Sequence, residues 1–125
     1  MPDADKTPQP DKTPQSVKTV PAAIAAYQAA HDRRDVATAL RQFASDAVVT
    51  DDGHTYQDAA GVERFLRSAA SEYTFTRTLI DAANTAPDEW IITNHVEGDF
   101  PGGTVDLRYR FVLRDTLISR LDIAP

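Results

Sequence analysis

The sequence contains no cysteine, and this absence excludes several kinds of site together. Without a thiol, the chain has no disulfide, no thiolate metal ligand and no cysteine nucleophile. A chain without disulfides fits a reducing compartment, and we therefore expect a cytoplasmic location.

Long apolar runs and excess positive charge are also missing. No stretch approaches the roughly 20 apolar residues of a membrane span, and the N-terminus lacks the charged-then-apolar order of a signal peptide. The net charge is −6, whereas phosphate groups and anionic lipids are bound by concentrated basic surfaces. We predict that neither nucleic acid nor a membrane is a partner.

What the chain does have is material for one domain. It has 125 residues, of which 42% are hydrophobic, enough for a single buried core. Residues 1–18 contain the near-repeat DKTPQP and DKTPQS, with almost no apolar side chain. Such a segment buries too little surface to offset its ordering entropy, so we predict a disordered tail over 1–18 and a folded domain over 19–125.

Three helices are predicted in the first half of the chain from apolar side chains at helical spacing. The first begins near Val20. The second follows a cap at Asp35 and runs through VATALRQFA, with Phe43 on its apolar stripe. The third begins at a cap, Asp58, and extends to about Ser71.

Strands dominate the rest of the chain, where the apolar period changes from 3.6 to 2. A short strand, DAVVTD, precedes the third helix, and four more follow in YTFTRTLIDAANTA, EWIITNHVEGDF, TVDLRYRFVLRD and LISRLDI. The turn sequences APDE and FPGG predict antiparallel neighbours. Helices first and strands afterwards indicate an α+β fold, a curved antiparallel sheet with three helices packed on its concave side.

Three stretches in this order resemble the nuclear transport factor 2-like superfamily, and within it the SnoaL-like and ketosteroid-isomerase-like branch. They are AYQAAHDRRDVATALRQFASDAVVTDDG, TYQDAAGVERFL and DLRYRFVLRDTLISRLDI, which together extend from about residue 20 to the end. The resemblance implies a cone-shaped half-open barrel with an apolar pocket at its wide end. It also implies a homodimer.

The resemblance also suggests catalytic residues. Ketosteroid isomerases have a tyrosine on the first helix, an aspartate base after the first strand and a protonated aspartate on a late strand. Tyr27 and Asp51 match the first two positions, 24 residues apart, but Tyr109 stands at the third. Asp51 would be the general base, with Tyr27 and Tyr109 as hydrogen-bond donors to an oxyanion.

A structural interpretation of the same residues stays open. Asp51 begins an Asp-Asp-Gly sequence, which is an ordinary turn signal, with Asp52 and Gly53 as the turn itself. Tyr27 and Tyr109 both lie on apolar stripes, where a tyrosine commonly packs its ring in the core and directs its hydroxyl to a partner.

Further side chains are candidates for contact with a ligand. His95 shares a strand face with Glu97, so the two could act as a pair or lie together on the surface. The histidines lack the spacing of metal ligands, and we predict no metal and no cofactor. The candidate ligand-binding residues are His31, His54, His95, Trp90 and Phe65.

Two functions remain open from the sequence. The first is acid–base catalysis on a hydrophobic carbonyl compound, of the isomerase, cyclase or dehydratase type. The second is a non-catalytic module of the same fold that binds a small molecule or forms a dimer. In both, a hydrophobic small molecule is the expected partner.

Overall fold

A computed structural model describes residues 20–68 and 73–125, so the predicted tail over 1–18 lies outside the described residues. The described part of the chain forms the predicted helices and strands in their predicted order, together with one short strand before the third helix that the sequence did not predict. The helices are α1 (Ala22–Asp32), α2 (Val36–Leu40) and α3 (Asp58–Arg67), and the strands are β1 (Phe43–Asp51), β2 (His54–Gln57), β3 (Phe75–Ala86), β4 (Glu89–Gly98), β5 (Thr104–Arg114) and β6 (Leu117–Ala124).

The six strands form one open, mixed sheet in the order β2-β1-β6-β5-β4-β3. Consecutive strands pair antiparallel, as the turn sequences APDE and FPGG predict for β3, β4 and β5. The prediction of a wholly antiparallel sheet is wrong at one place, because β1 pairs parallel with β6. The α+β architecture of three helices and a half-open sheet is confirmed.

The second helix is shorter than predicted. It ends at Leu40, and Phe43 is the first residue of β1, paired with Ile118 of β6. The backbone N–H of Ile118 also donates to the carbonyl oxygen of Gln42 over 2.8 Å. Pairing with a distant strand overrides the local helical spacing that placed Phe43 on an apolar stripe.

Both predicted helix caps are present. The Asp35 side chain accepts a hydrogen bond from the backbone N–H of Thr38 over 3.1 Å, and the Asp58 side chain accepts one from Gly61 over 3.2 Å. The described part of α3 ends at Arg67, so the predicted end at Ser71 lies outside the described residues. Among the described residues, no helix is long and apolar enough to cross a membrane.

Gly61 has a packing role in α3. A methyl group at this position would lie 3.1 Å from the carbonyl carbon of Tyr56, closer than ordinary van der Waals contact. The glycine therefore lets α3 approach β2, despite its low helix propensity.

A row of side chains across four strands is packed into the core, and we call it the closed row. Val49 of β1 pairs with Leu121 of β6, Leu121 with Phe111 of β5, and Phe111 with Trp90 of β4. The first three are fully buried, and Trp90 packs partly buried against the same cluster. This closed row fixes the register of the inner face.

Candidate ligand pocket and acid–base site

Asp52 and Gly53 form the tight turn between β1 and β2. Asp51 pairs with His54, leaving two residues between the strands, both with positive φ angles of 52° and 77°. Two positive φ angles define a type I′ hairpin turn, for which Asp-Gly is a favoured sequence. Asp51 is the last residue of β1 and not part of the turn.

Asp51 lies in a second row of side chains, two residues along each strand from the closed row. Asp51 pairs with Ile123 of β6, Ile123 with Tyr109 of β5, and Tyr109 with Ile92 of β4. Asp51 and Tyr109 therefore flank a single intervening strand, with backbones roughly 10 Å apart at typical strand spacing. Asp51 is half-buried, whereas Tyr109 is buried.

Tyr27 approaches the inner face of the sheet from helix α1. Its side chain is buried, with its ring edge-on to Phe43 at 5.4 Å and to Phe111 at 5.9 Å between centroids. Edge-to-face contacts of this kind fix a ring in one orientation. The core aromatic residues therefore hold Tyr27 in place.

Tyr27, Asp51 and Tyr109 all line one cavity of about 730 Å³, which we call the main cavity. Most of its remaining wall is apolar and comes from α3, β3, β4, β5 and β6. Asp52 and Gly53 also border it. Six of the apolar wall residues are Phe65, Phe75, Val96, Val105, Leu107 and Ile123.

Burial keeps both tyrosine hydroxyls protonated. Desolvation raises the pKa of Tyr109 to about 12, and it raises the pKa of Tyr27 far above the ordinary value for a phenol. The neighbouring hydroxyl of Tyr109 and the carboxylate of Asp51 raise the pKa of Tyr27 further. At physiological pH, each side chain is a neutral group able to donate a hydrogen bond.

Arg77 also acts on this site, although the sequence patterns did not identify it. Its side chain is only 6% exposed, pairs with the Asp32 carboxylate over 2.7 Å and donates to the carbonyl oxygen of Gln28 over 2.6 Å. Its positive charge lowers the pKa of both Tyr27 and Tyr109, opposing the effect of burial. The sequence feature that could have revealed Arg77 is its position on the apolar face of β3.

The other sequence candidates separate into two groups. Phe65 and His31 line the main cavity, and the His31 ring stacks on Phe75 with 5.6 Å between centroids. His54 and Trp90 are not among the residues that line it. His54 is exposed at the start of β2, and Trp90 belongs to the closed row.

His95 lies on the opposite side of the sheet. Its Nδ1 is 2.6 Å from a carboxylate oxygen of Asp106, and its Nε2 is 2.9 Å from one of Glu97. The prediction that His95 and Glu97 share a strand face is confirmed, but this face is not the one that lines the main cavity.

The chemistry available in the main cavity is proton transfer in apolar surroundings. A carboxylate can accept a proton, and two neutral phenols can donate hydrogen bonds to a developing negative charge. Within residues 20–68 and 73–125, no cluster of three or more His, Cys, Asp or Glu side chains could hold a metal ion.

Solved structures with the same fold come from several bacteria. A "putative polyketide cyclase" from Sinorhizobium meliloti is 29% identical, with a TM-score of 0.80 over 88% of this chain and 99% of that one. A protein from Catenulispora acidiphila with a ketosteroid isomerase-like fold, in complex with trimethylamine, is 18% identical, with a TM-score of 0.74 over 86% of this chain and 87% of that one.

A third structure, from Mycobacterium tuberculosis, is in complex with estradiol-17beta-hemisuccinate. It is 17% identical, with a TM-score of 0.70 over 91% of this chain and 95% of that one. No family model and no curated protein matches the chain. The structural matches confirm the resemblance inferred from the sequence, to the nuclear transport factor 2-like superfamily and its SnoaL-like and ketosteroid-isomerase-like branch.

Proposed function

We propose that the protein binds an apolar carbonyl compound in the main cavity and catalyses proton transfer within that compound. The observation that carries this proposal is that the Asp51 carboxylate and the neutral phenols of Tyr27 and Tyr109 line a single, mostly apolar cavity. Its volume of about 730 Å³ falls in the range of small-molecule sites.

The reaction would begin with Asp51 as general base. Its carboxylate takes a proton from the carbon next to the carbonyl group, so that a C–H bond breaks and a carboxyl O–H bond forms. The electron pair of the C–H bond moves into an enolate, with the negative charge on oxygen. Return of the proton from Asp51 to another carbon of the conjugated system completes an isomerisation.

Tyr27 and Tyr109 would stabilise the enolate oxygen. A donor aids the reaction most when its hydrogen bond strengthens as negative charge develops. Their raised pKa values keep both phenols protonated before the reaction, and the nearby charge of Arg77 favours the negative charge that forms during it.

Tyr109 would replace the late-strand acid of ketosteroid isomerases. A carboxylic acid can donate a hydrogen bond only if its pKa is raised far enough to keep the proton. A phenol needs no such adjustment, since its ordinary pKa is near 10. The change of residue therefore preserves the donor, and with it the basis for the proposed reaction.

The ligands and names of structural relatives support an apolar substrate. The Mycobacterium tuberculosis relative holds a steroid ester, and the Sinorhizobium meliloti relative carries the name of a cyclase. Steroids and cyclising polyketides share an apolar skeleton with carbonyl groups. We therefore propose a substrate of this chemical class, with isomerisation, cyclisation or dehydration as the reaction type.

The proposal can be tested with a β,γ-unsaturated 3-oxosteroid, whose isomerisation produces a conjugated enone that absorbs in the ultraviolet. Deuterium exchange at the carbon next to the ketone, followed by NMR, reports proton abstraction even where no isomer forms. We expect Asp51→Asn to reduce either rate by about 10²–10⁴-fold, the usual contribution of a general base.

Asp81→Asn is the matched control, because it changes an exposed carboxylate on β3 that is not among the residues lining the main cavity. It should keep most of the activity. A rise in melting temperature with the steroid would show that Asp51→Asn still binds it. Full activity of Asp51→Asn, or equal losses in the two variants, would contradict the role of Asp51.

Binding without catalysis is the second candidate function. Asp51 is half-buried beside an exposed turn, whereas catalytic acids and bases are commonly set in desolvated surroundings. This function predicts that the steroid raises the melting temperature while deuterium exchange stays at the rate in buffer.

We also propose a homodimer and a cytoplasmic location, both of which come from sequence reasoning. Light scattering coupled to size-exclusion chromatography would measure the mass of the assembly in solution. A mass equal to that of one chain, 13.7 kDa, across a range of concentrations would contradict the homodimer.

A further inference from the structure

A second cavity, of about 270 Å³, lies between helix α1 and strands β3 and β4. It shares no lining residue with the main cavity. Part of its wall is apolar, with Ile24 from α1, Leu79 from β3 and Ile92 from β4. The rest is polar and includes the side chains of Gln28 and Asn94.

Asn94 is an unusual residue for its position. It lies on the inner face of β4 between Ile92 and Val96, and its side chain is completely buried. Both its amide nitrogen and its amide oxygen lack a hydrogen-bond partner among the described residues. An unpaired polar group in such a place typically destabilises the folded state.

Gln28 adds a third polar atom to the same cavity. The residue is 9% exposed, and its Oε1 is buried without a hydrogen-bond partner among the described residues. Gln28 faces the cavity from α1, whereas Asn94 faces it from β4. The cavity therefore presents two buried acceptors, Asn94 Oδ1 and Gln28 Oε1, and one buried donor group, Asn94 Nδ2.

The charges at this cavity are paired. Arg77 and Asp32 both line it, and the guanidinium lies 2.7 Å from the carboxylate. Because each charge is balanced by the other, the site does not select for an anion or a cation. The buried amide atoms that lack hydrogen-bond partners are neutral. They therefore favour a neutral ligand.

We propose that the second cavity is a binding site for a small primary carboxamide with a short apolar tail. One N–H of the ligand donates to Asn94 Oδ1 and its other N–H donates to Gln28 Oε1. Its carbonyl oxygen accepts from Asn94 Nδ2. A primary amide thus offers the two donors and one acceptor that the buried atoms require, and its tail packs against Ile24, Leu79 and Ile92.

Isobutyramide is a suitable probe, because it combines a primary amide with a small branched tail. Methyl isopropyl ketone is its matched comparator, with a similar shape and a carbonyl group but no N–H. NMR titration of the full chain, with the Asn94 side-chain amide signals as the reporter, measures both. We expect the ketone to bind about tenfold more weakly, because two hydrogen bonds are lost.

Two variants test whether Asn94 is the anchor. Asn94→Leu keeps a similar size and removes both amide atoms, and we expect it to weaken isobutyramide binding by about tenfold or more. Gln57→Leu is the control, since this exposed amide side chain at the end of β2 is not among the residues that line the cavity. Should Asn94→Leu fail to fold, Gln28→Leu removes one acceptor and should weaken binding while leaving the ketone unaffected.

A crystal structure of the protein soaked in isobutyramide decides between the amide and water. A water molecule also offers two donors and an acceptor, so it could satisfy the same three atoms. The proposal is supported by the amide bound to Asn94 and Gln28. It is overturned by water only at these atoms, by equal binding of amide and ketone, or by shifts confined to residues of the main cavity.

Discussion

Two neighbouring rows on the inner face of the sheet have nearly the same construction but different properties. The closed row consists of Val49, Leu121, Phe111 and Trp90, and the next row consists of Asp51, Ile123, Tyr109 and Ile92. Both rows use strands β1, β6, β5 and β4 in the same order. The closed row is packed into the core, while Asp51, Ile123 and Tyr109 border the main cavity.

The difference between the two rows shows how a stable sheet can include polar side chains that are able to take part in a reaction. The closed row supplies aromatic and aliphatic volume, and it also holds Tyr27 through the contact with Phe111. The second row can then contain a carboxylate and a phenol, because its neighbours already fix the backbone. Stability should therefore depend mainly on the first row and activity on the second.

The largest expected effect is on stability, in the closed row. Phe111→Ala removes a fully buried ring that contacts both Tyr27 and Tyr109, and should lower the free energy of unfolding by about 3–5 kcal/mol. Urea unfolding measures this change. Tyr109→Phe keeps the ring in the second row and should have a much smaller effect, so equal losses would contradict the division between the rows.

The next effect is on activity. Tyr27→Phe removes one donor but keeps the ring that packs against Phe43 and Phe111. If the enolate is stabilised as proposed, the rate should fall by about 10²–10³-fold, as for the loss of one oxyanion donor. Isomerisation kinetics measure the rate, and urea unfolding should show a well-folded variant. An unchanged rate would assign Tyr27 to the core alone.

Local sequence patterns were sufficient to predict most of the fold. Capping and alternation predicted the helices, the later strands and the separation of Asp51 from the Asp52–Gly53 turn. They failed at Phe43 and at the parallel pairing of β1 with β6, because the partner strand lies about 70 residues away in sequence. Two parallel strands are not joined by a short turn, so no turn sequence predicts their pairing.

The site was harder to predict than the fold. Asp51, Tyr27 and Tyr109 were selected through the resemblance, and the structure brings them to one cavity. Arg77 and Asn94 were overlooked, although each is a polar residue at an apolar position of a regular strand. Alternation alone can reveal such residues, but only packing shows that they are buried and what they face.

A smaller effect is expected at the turn that follows Asp51. Gly53 has a φ of +77°, and a methyl group there would meet nothing within 4 Å. Gly53→Ala should therefore lower stability by about 1–2 kcal/mol through backbone conformation alone. Gly102→Ala, with a φ of +91° and equally open space, is the matched control.

Thermal unfolding and isomerisation rates separate the two consequences of this change. Both glycine variants should lose similar stability, but only Gly53→Ala should also slow the reaction, because it alters the turn beside Asp51. Equal rates in the two variants would show that Asp51 is held by β1 without help from the turn.

The smallest effect lies on the opposite face of the sheet. Hydrogen bonds that the His95 ring donates to the carboxylates of Asp106 and Glu97 raise the pKa of His95 above its ordinary value near 6.5. Because protonation is favoured in the folded state, this contribution to stability is full below about pH 6.5 and is lost as the pH rises through the folded pKa. His95→Gln should therefore lower the melting temperature at about pH 6 more than at about pH 8.5.

The same variant also tests whether the two faces act independently. His95 belongs to neither row and is not among the residues that line the main cavity, so its replacement should leave steroid binding and isomerisation rates unchanged at either pH. A gap in melting temperature that stays constant with pH would show that His95 contributes through packing and not through its charge. A change in the isomerisation rate would show that the outer face influences the cavity through the sheet.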